Sequence, residues 1–335
     1  MTIKDLAAQT GYSVGTVSRV LNRQPNVSEK ARKAILEAAD ACGFQLNTNA
    51  QQLKQVRSQN IIVVMKGTSN QLFGNLLENI QNRMIGSPYH LVVDYMDEDG
   101  NEVLRALQLC REKKPRGLLF MGGNRRHFEQ DFSRIDVPSV LVTNDASGLA
   151  FPNLSSVCSN DDQAVQEMMD QLIRFGHRKI AVIGGDRQIS DTTRRRLQGC
   201  MVAFGAHQVE FDPELDYVGV RFSYEDGYKA AEALLAKKRN HTAIFCMADV
   251  MAMGAIRALS DHGLRVPEDV SVVGFDGLSI GDYTVPRLAT VRQSVKDLAQ
   301  RSVELLLKSI EGTAEPTHEV VAAHPQWRDS VREIE

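Results

Sequence analysis

Two kinds of segment in this chain carry residues that could do chemistry. The first is Ser13-Val14-Gly15-Thr16-Val17-Ser18-Arg19-Val20-Leu21-Asn22, which sits in a span without a carboxylate from Asp5 to Glu29. Val17, Val20 and Leu21 are spaced for one side of a helix. That leaves Val14, Gly15, Ser18, Arg19 and the Thr16 hydroxyl outward. An acid-free surface of hydroxyls and a cation suits contact with phosphate.

The second kind is a set of short polar segments, each directly after an apolar run. Lys66-Gly67-Thr68-Ser69-Asn70-Gln71-Leu72-Phe73 follows Met65, Gly122-Gly123 follows Met121, and Asn144-Asp145 follows Thr143. Gly184-Gly185-Asp186 follows Ile183, with Thr192 and Arg196 just beyond, and Phe222 precedes Ser223, a candidate helix cap. Ala248-Asp249 follows Met247, and Asp276-Gly277 follows Phe275. Carboxylates, an arginine and one or two aromatic rings in such positions suit a small polyhydroxylated ligand. Hydroxyls would meet the charges, and Phe73 or Phe222 would stack on a sugar face.

Other chemistries find little support. There is no G-x-S-x-G elbow and no G-x-x-x-x-G-K-[ST] loop. Gly184-Gly185 is too little for a dinucleotide fingerprint. The five cysteines are far apart and lack C-x-x-C spacing, which argues against a disulfide framework and against zinc. No histidine pair has ligand spacing. We expect no catalysis, no metal and no cofactor.

The elements that must position these residues follow from periodicity. Ile3, Leu6 and Ala7 mark one face of a helix, Gly11 breaks it, and Ser13 caps the next. A third helix from Ser28 to Cys42 buries Ala31, Ile35 and Ala38, with Gly43 as its stop. Three short helices in this order predict a helix-turn-helix headpiece. Residues 45–59 are polar and amide-rich, and read as a linker. From Ile61 onward, apolar runs (Ile61–Met65, Leu91–Tyr95, Leu118–Met121, Val140–Thr143, Ile180–Ile183, Ala243–Met247, Val270–Phe275) alternate with amphipathic segments. Those segments fall near 72–85, 101–113, 162–175, 192–205, 224–238, 249–262 and 295–310. Such alternation predicts parallel sheets covered on both faces. Ligands then collect beyond the carboxyl ends of the strands.

Charge divides along the same line. Residues 1–60 hold eight Lys or Arg against four Asp or Glu, a net +4, in a chain of 335 residues whose total is −3. A cationic front end on an acidic body suits a protein that grips DNA at one end. No apolar run approaches a membrane span, and the first residues do not read as a signal peptide, so we expect a cytoplasmic protein.

The string TIKDLAAQTGYSVGTVSRVLN resembles the N-terminal signature of the lactose-repressor family of bacterial transcription regulators, and the similarity extends along the chain. Val-Gly-Phe-Asp at 273–276 is a second family marker. The resemblance implies an all-α headpiece at 1–45, a hinge at 46–59 and a body at 60–335 built like two-lobed periplasmic sugar-binding proteins. The first lobe would comprise 60–157 and 292–318, the second 158–289 and 321–335. It also implies DNA contacts from Thr2, Ser13, Val14, Gly15, Thr16 and Ser18, and from Arg19, Asn22 and Asn26. Asn49 and Leu53 would act from a hinge helix that wedges Leu53 into the minor groove. The alternative for Leu53 is packing on the body. The family usually has a proline before the hinge, where this chain has Leu46.

Implied effector contacts are Phe73, Thr192, Arg196, Phe222, Asp249 and Asp276, joined by Ser69 and Asn144 from the loops above. Plain alternatives stand beside several of these: Phe73 as core, Asp249 as a helix cap, and some of Arg194-Arg195-Arg196 as solvated. Ala248 stands where the family often has Asn, and Thr143 where it often has Asp. The expected function is an operator-binding repressor, controlled by a sugar bound between the lobes. The alternative effector is a nucleoside, a purine or a phosphorylated corepressor. The short tail after Trp327 favours a homodimer over a tetramer.

Overall fold

A computed structural model describes residues 3–21, 27–42, 58–67 and 70–335. Thr2, Asn22, Asn26, Asn49, Leu53 and Ser69 lie outside the described residues. The chain divides into two compact units, residues 1–58 and 59–335.

The first unit contains α1 (Ile3–Thr10), α2 (Val14–Leu21) and α3 (Glu29–Ala41). Gly11 turns the chain after α1 with φ +70°, a left-handed value that glycine adopts without penalty. Ser13 then opens α2: its Oγ accepts the Thr16 N–H at 3.1 Å and pairs with the Thr16 hydroxyl at 2.9 Å. Leu6, Ala7, Val17, Val20, Ala31, Ile35 and Ala39 form the core. The stripe of α3 includes Ala39 where Ala38 was expected; Ala38 is only half-buried.

The second unit carries two six-stranded sheets. The first sheet has strands β1 (Asn60–Lys66), β2 (His90–Met96), β3 (Gly117–Met121), β4 (Ser139–Val142), β5 (Leu154–Ser159) and β11 (His318–Val321), in the order β11-β5-β4-β3-β1-β2. The second has β6 (Ile180–Gly184), β7 (Tyr217–Gly219), β8 (Ala243–Cys246), β9 (Ser271–Asp276), β10 (Ala289–Gln293) and β12 (Ala323–Gln326), in the order β12-β10-β9-β8-β6-β7. Among the described residues only the β10–β12 pair is antiparallel. Helices α4 (Gln71–Met84), α5 (Glu102–Lys113), α6 (Arg125–Asp131) and α11 (Val295–Ile310) belong with the first sheet. Helices α7 (Asp161–Arg174), α8 (Asp191–Ala206), α9 (Tyr224–Ala236) and α10 (Asp249–Asp261) belong with the second. The central strands are buried, β1 except at its two end residues, as parallel sheets with two covered faces require.

The chain crosses between lobes three times, at 159–161, 293–295 and 321–323. Two crossings differ from expectation. Strand β5 extends the first lobe to Ser159, and β10 keeps residues 289–293 in the second lobe. Among the described residues no helix is long and apolar enough to cross a membrane.

Candidate functional site

In the headpiece the apolar residues of α2 turn inward and its chemistry outward. Val17 and Val20 are buried, whereas Ser13, Val14, Gly15 and Arg19 are exposed and Thr16 and Ser18 are half-buried. Val14 presents an exposed apolar side chain, and Gly15 adds no side chain beside it. Neither can form a bidentate base contact, whereas an arginine can.

In the body, a cleft of about 910 Å³ opens where the carboxyl ends of both sheets face each other. From the first lobe it is lined by Lys66, Asn70, Phe73, Gly122 and Asn144. From the second it is lined by Gly185, Thr192, Arg196, Phe222 and Asp276. Two glycines make room for the rings. A Cβ at Gly122 would come within 3.1 Å of Phe73, and one at Gly185 within 2.8 Å of Phe222. Phe73 is both wall and core, packing against clusters in both lobes.

Arg196 is nearly buried and heavily engaged. Its Nε donates to Asp161 Oδ2 at 2.8 Å and its Nη1 to the Met247 carbonyl, and its Nη2 lies 3.9 Å from Asp276. The guanidinium sits 3.5 Å from the centroid of the Phe275 ring, a cation–π contact. Asp276 accepts from Gln293 Nε2 at 2.9 Å and, across the cleft, from Asn70 Nδ2 at 3.0 Å. Burial pushes the Asp276 carboxyl up to about 6, against the pull of Arg196. Asn144 adds a second bridge, donating to Thr192 Oγ1 at 3.3 Å, and the Arg125 N–H donates to Asp191 at 2.8 Å.

Two cleft-lining residues at strand ends, Thr143 just after β4 and Asp276 at the end of β9, both have positive φ, +77° and +119°. Non-glycine residues rarely adopt such angles, and the strain they carry concentrates at functional sites.

Asp249 is a correction. It is fully buried and does not line the cleft. Its oxygens accept from Thr290 Oγ1 at 2.6 Å and from the Leu278 N–H at 2.7 Å, which fixes the turn after β9. Nor does its side chain cap α10, whose cap residue is Ala248. Burial first, and then Asp276 nearby, push its carboxyl up to about 8.

Three site features went unforeseen. Glu102 is fully buried, accepting from Lys66 Nζ at 2.6 Å and the Asn124 N–H at 2.6 Å, and meeting His127 Nδ1 at 2.9 Å. It anchors the lysine that lines the first lobe's wall. Gln293 links two of the lobe crossings to the site, accepting from Ser159 at 2.8 Å while donating to Asp276. Arg221 reaches from the second lobe to Asp97, Glu98 and Asp99 of the first, with separations of 3.4 Å to Asp97 and 3.3 Å to Glu98. Only Arg221, directly before Phe222, had a local cue.

Comparison with known proteins agrees with this arrangement. Residues 2–47 match the family model described as bacterial regulatory proteins, lacI family, and residues 169–331 match a periplasmic binding protein-like domain. The transcriptional regulator MalR of Clostridium butyricum is 33% identical over 98% of this chain and 99% of its own length. The chain belongs to the LacI family. Among solved structures, the lac repressor dimer bound to operator and the anti-inducer ONPF is similar with a TM-score of 0.74 and 25% identity, covering 98% of both chains. The regulator CelR in complex with cellobiose is similar with a TM-score of 0.72 and 26% identity, covering 98% of this chain and 99% of that one. This LacI-family protein is a DNA-binding transcriptional regulator, and its relatives are regulators, not enzymes.

Proposed function

We propose that this protein is a repressor whose operator affinity is set by a neutral sugar held in the cleft between its lobes. The observation that carries the reading is the facing set of Asp276, Arg196 and Asn70 with Phe73 and Phe222. Opposed charges with fixed partners can hold hydroxyls, and the rings offer apolar faces to a pyranose. Five basic and five acidic side chains line the cleft among the described residues, so it has no net call for a phosphate or a sugar acid. The solved relative CelR holds cellobiose, which points the same way.

Occupancy acts through the lobes. Asn70, Phe73 and Asn144 reach the ligand from one lobe, Thr192, Arg196, Phe222 and Asp276 from the other. A ligand touching both sets has different affinity for two lobe arrangements, and that difference is the coupling to DNA. On this reading Ser13, Val14, Gly15, Thr16, Ser18 and Arg19 face operator DNA, with Arg19 reading base edges and the hinge's Leu53 acting as a wedge.

A homodimer completes the proposal, matching two headpieces to two half-sites. Tyr95, Ile280 and Tyr283 are exposed around one depression that spans both lobes, and Val285 nearby is 95% exposed. Apolar surface of this kind suits a partner.

The test is a thermal-shift screen of sugars and nucleosides on purified protein, followed by operator binding with and without each hit at stated salt. A sugar that stabilises the body and changes operator affinity supports the reading. A nucleoside or phosphorylated hit with no sugar hit overturns it. Sedimentation of the free protein checks the dimer.

A further inference from the structure

The cleft is longer than the set of residues at its deep end. In the second lobe, whose strand order includes β9-β8-β6-β7, its lining runs from Asp276 at the end of β9, past Gly185 after β6, to Val218, Gly219 and Val220 at the edge strand β7. Adjacent strands stand about 4.8 Å apart, so the three steps from Asp276 on β9 to the end of β7 span roughly 14 Å. One pyranose ring does not cover that distance, whereas two joined rings do. Asp276 and Arg196 occupy one end of this lining, and Gly185, against Phe222, directly follows the third strand of that order, β6.

The far end has its own chemistry. Strand β7 is the edge of its sheet, and Arg187, Glu214, Tyr217, Val220 and Lys237 line the cleft there. Arg187 lies over the Tyr217 ring at 5.2 Å and pairs with Glu214 at 3.5 Å. Lys237 is tethered, its Nζ donating to the carbonyls of Glu214 at 2.8 Å and Tyr217 at 3.3 Å. Beside these polar groups Val220 offers an apolar edge. A guanidinium, a carboxylate and an ammonium next to an apolar edge repeat, in another arrangement, what a sugar ring meets at the deep end.

We propose that the effector is a disaccharide or longer glycoside, with its second ring held at the β7 edge by Arg187 and Glu214. This rests on the sugar-binding reading above and adds the ligand's length. The far-end residues all belong to one lobe. Contacts there add affinity in either lobe arrangement alike, so they tighten binding without changing the allosteric coupling.

The experiment is calorimetric titration of the full chain with glucose, galactose and fructose, and with maltose, cellobiose, lactose, melibiose, trehalose and sucrose. One disaccharide is expected to bind at least about tenfold more tightly than its component monosaccharides. Arg187→Ala with Glu214→Ala should remove that margin, leave the monosaccharide affinity unchanged, and leave the maximal change in operator affinity unchanged. Both positions are exposed, and an unchanged thermal midpoint of the variant confirms its fold. A monosaccharide that binds as tightly as every disaccharide overturns the proposal while leaving the sugar reading intact. So does a double variant that weakens both ligand lengths equally. Absence of binding by any of these sugars overturns both readings.

Discussion

The carboxamide of Asn70, at the first turn of α4, donates to the carboxylate of Asp276, at the last residue of β9, across the cleft at 3.0 Å. The same carboxamide caps α4, its Oδ1 accepting the Leu72 N–H at 2.9 Å. One side chain therefore joins a helix start in one lobe to a strand end in the other, at the spot where a ligand hydroxyl would compete for Asp276. Asn70→Asp keeps the cap and puts a second carboxylate beside Asp276. Effector affinity is expected to fall about tenfold at pH 8 and to recover in part near pH 5, where the pair shares a proton. Titration at the two pH values checks it; pH-independent loss would count against the bond.

Arg196→Met removes the cation that Asp161 and Asp276 share. Breaking a buried pair from one side costs about 3–5 kcal/mol, because the remaining charge has no partner. The body should lose that much stability at neutral pH in chemical denaturation. Part of the loss should return as the Asp276 carboxyl, already raised to about 6, protonates in acid.

The buried acids also set a pH dependence. Asp249 and Asp276 have folded values raised to about 8 and about 6, above the ordinary 3.8. Between the ordinary and the raised values the folded protein binds more protons than the unfolded chain, so these groups lower stability as pH rises from about 4 to 8. Asp249→Asn should flatten the part of that decline between pH 6 and 8, by at least about 1 kcal/mol. Thermal midpoints of both proteins against pH provide the comparison; equal slopes would refute the assignment.

Arg221 meets three acids of the other lobe at the cleft mouth. Exposed ion pairs contribute little and are screened by salt. Arg221→Ala should weaken effector binding only about two- to fivefold, and should remove most of its dependence on salt. Titrations at low and high ionic strength separate this from a direct ligand contact, whose loss would persist in salt.

Arg19→Ala should cost about 1–3 kcal/mol in operator affinity and relax preference at one base position. Binding measured on the operator and on single-base variants tests this. A uniform loss across all sequences would make Arg19 a phosphate contact instead.

Sequence periodicity exposed much of this architecture because each signal was local. The spacing of Leu6, Ala7, Val17 and Val20 around Gly11 marks the headpiece, and unbroken apolar runs mark β1, β3 and β6. Strand β5 escaped notice because Ser155, Ser156 and Ser159 interrupt its run. All three are buried, with hydroxyls bonded respectively to Thr317 N–H, to Ala146 N–H and His318, and to Gln293. The cleft lining was legible where a residue directly follows a strand or lies in the first turns of the next helix, as at Asn144, Thr192, Arg196 and Asp276. It was hidden where the partner is distant. Glu102 looks like an ordinary acid in a helix's first turn until Lys66, 36 positions away, is seen against it. Asp249 deceived for the opposite reason: it follows a strand as a contact residue should, yet its partners Thr290 and Leu278 hold it under the floor.

The three crossings between lobes have a consequence for synthesis. The first lobe needs α11 to cover Leu76, Leu119 and Val140, and β11 to pair with β5. Neither has been translated when residue 290 is added to the chain. For most of its production the nascent chain carries an unfinished apolar sheet, which makes the last forty or so residues the step that rescues it from aggregation. A premature stop near 290 should therefore yield insoluble material, not a working half.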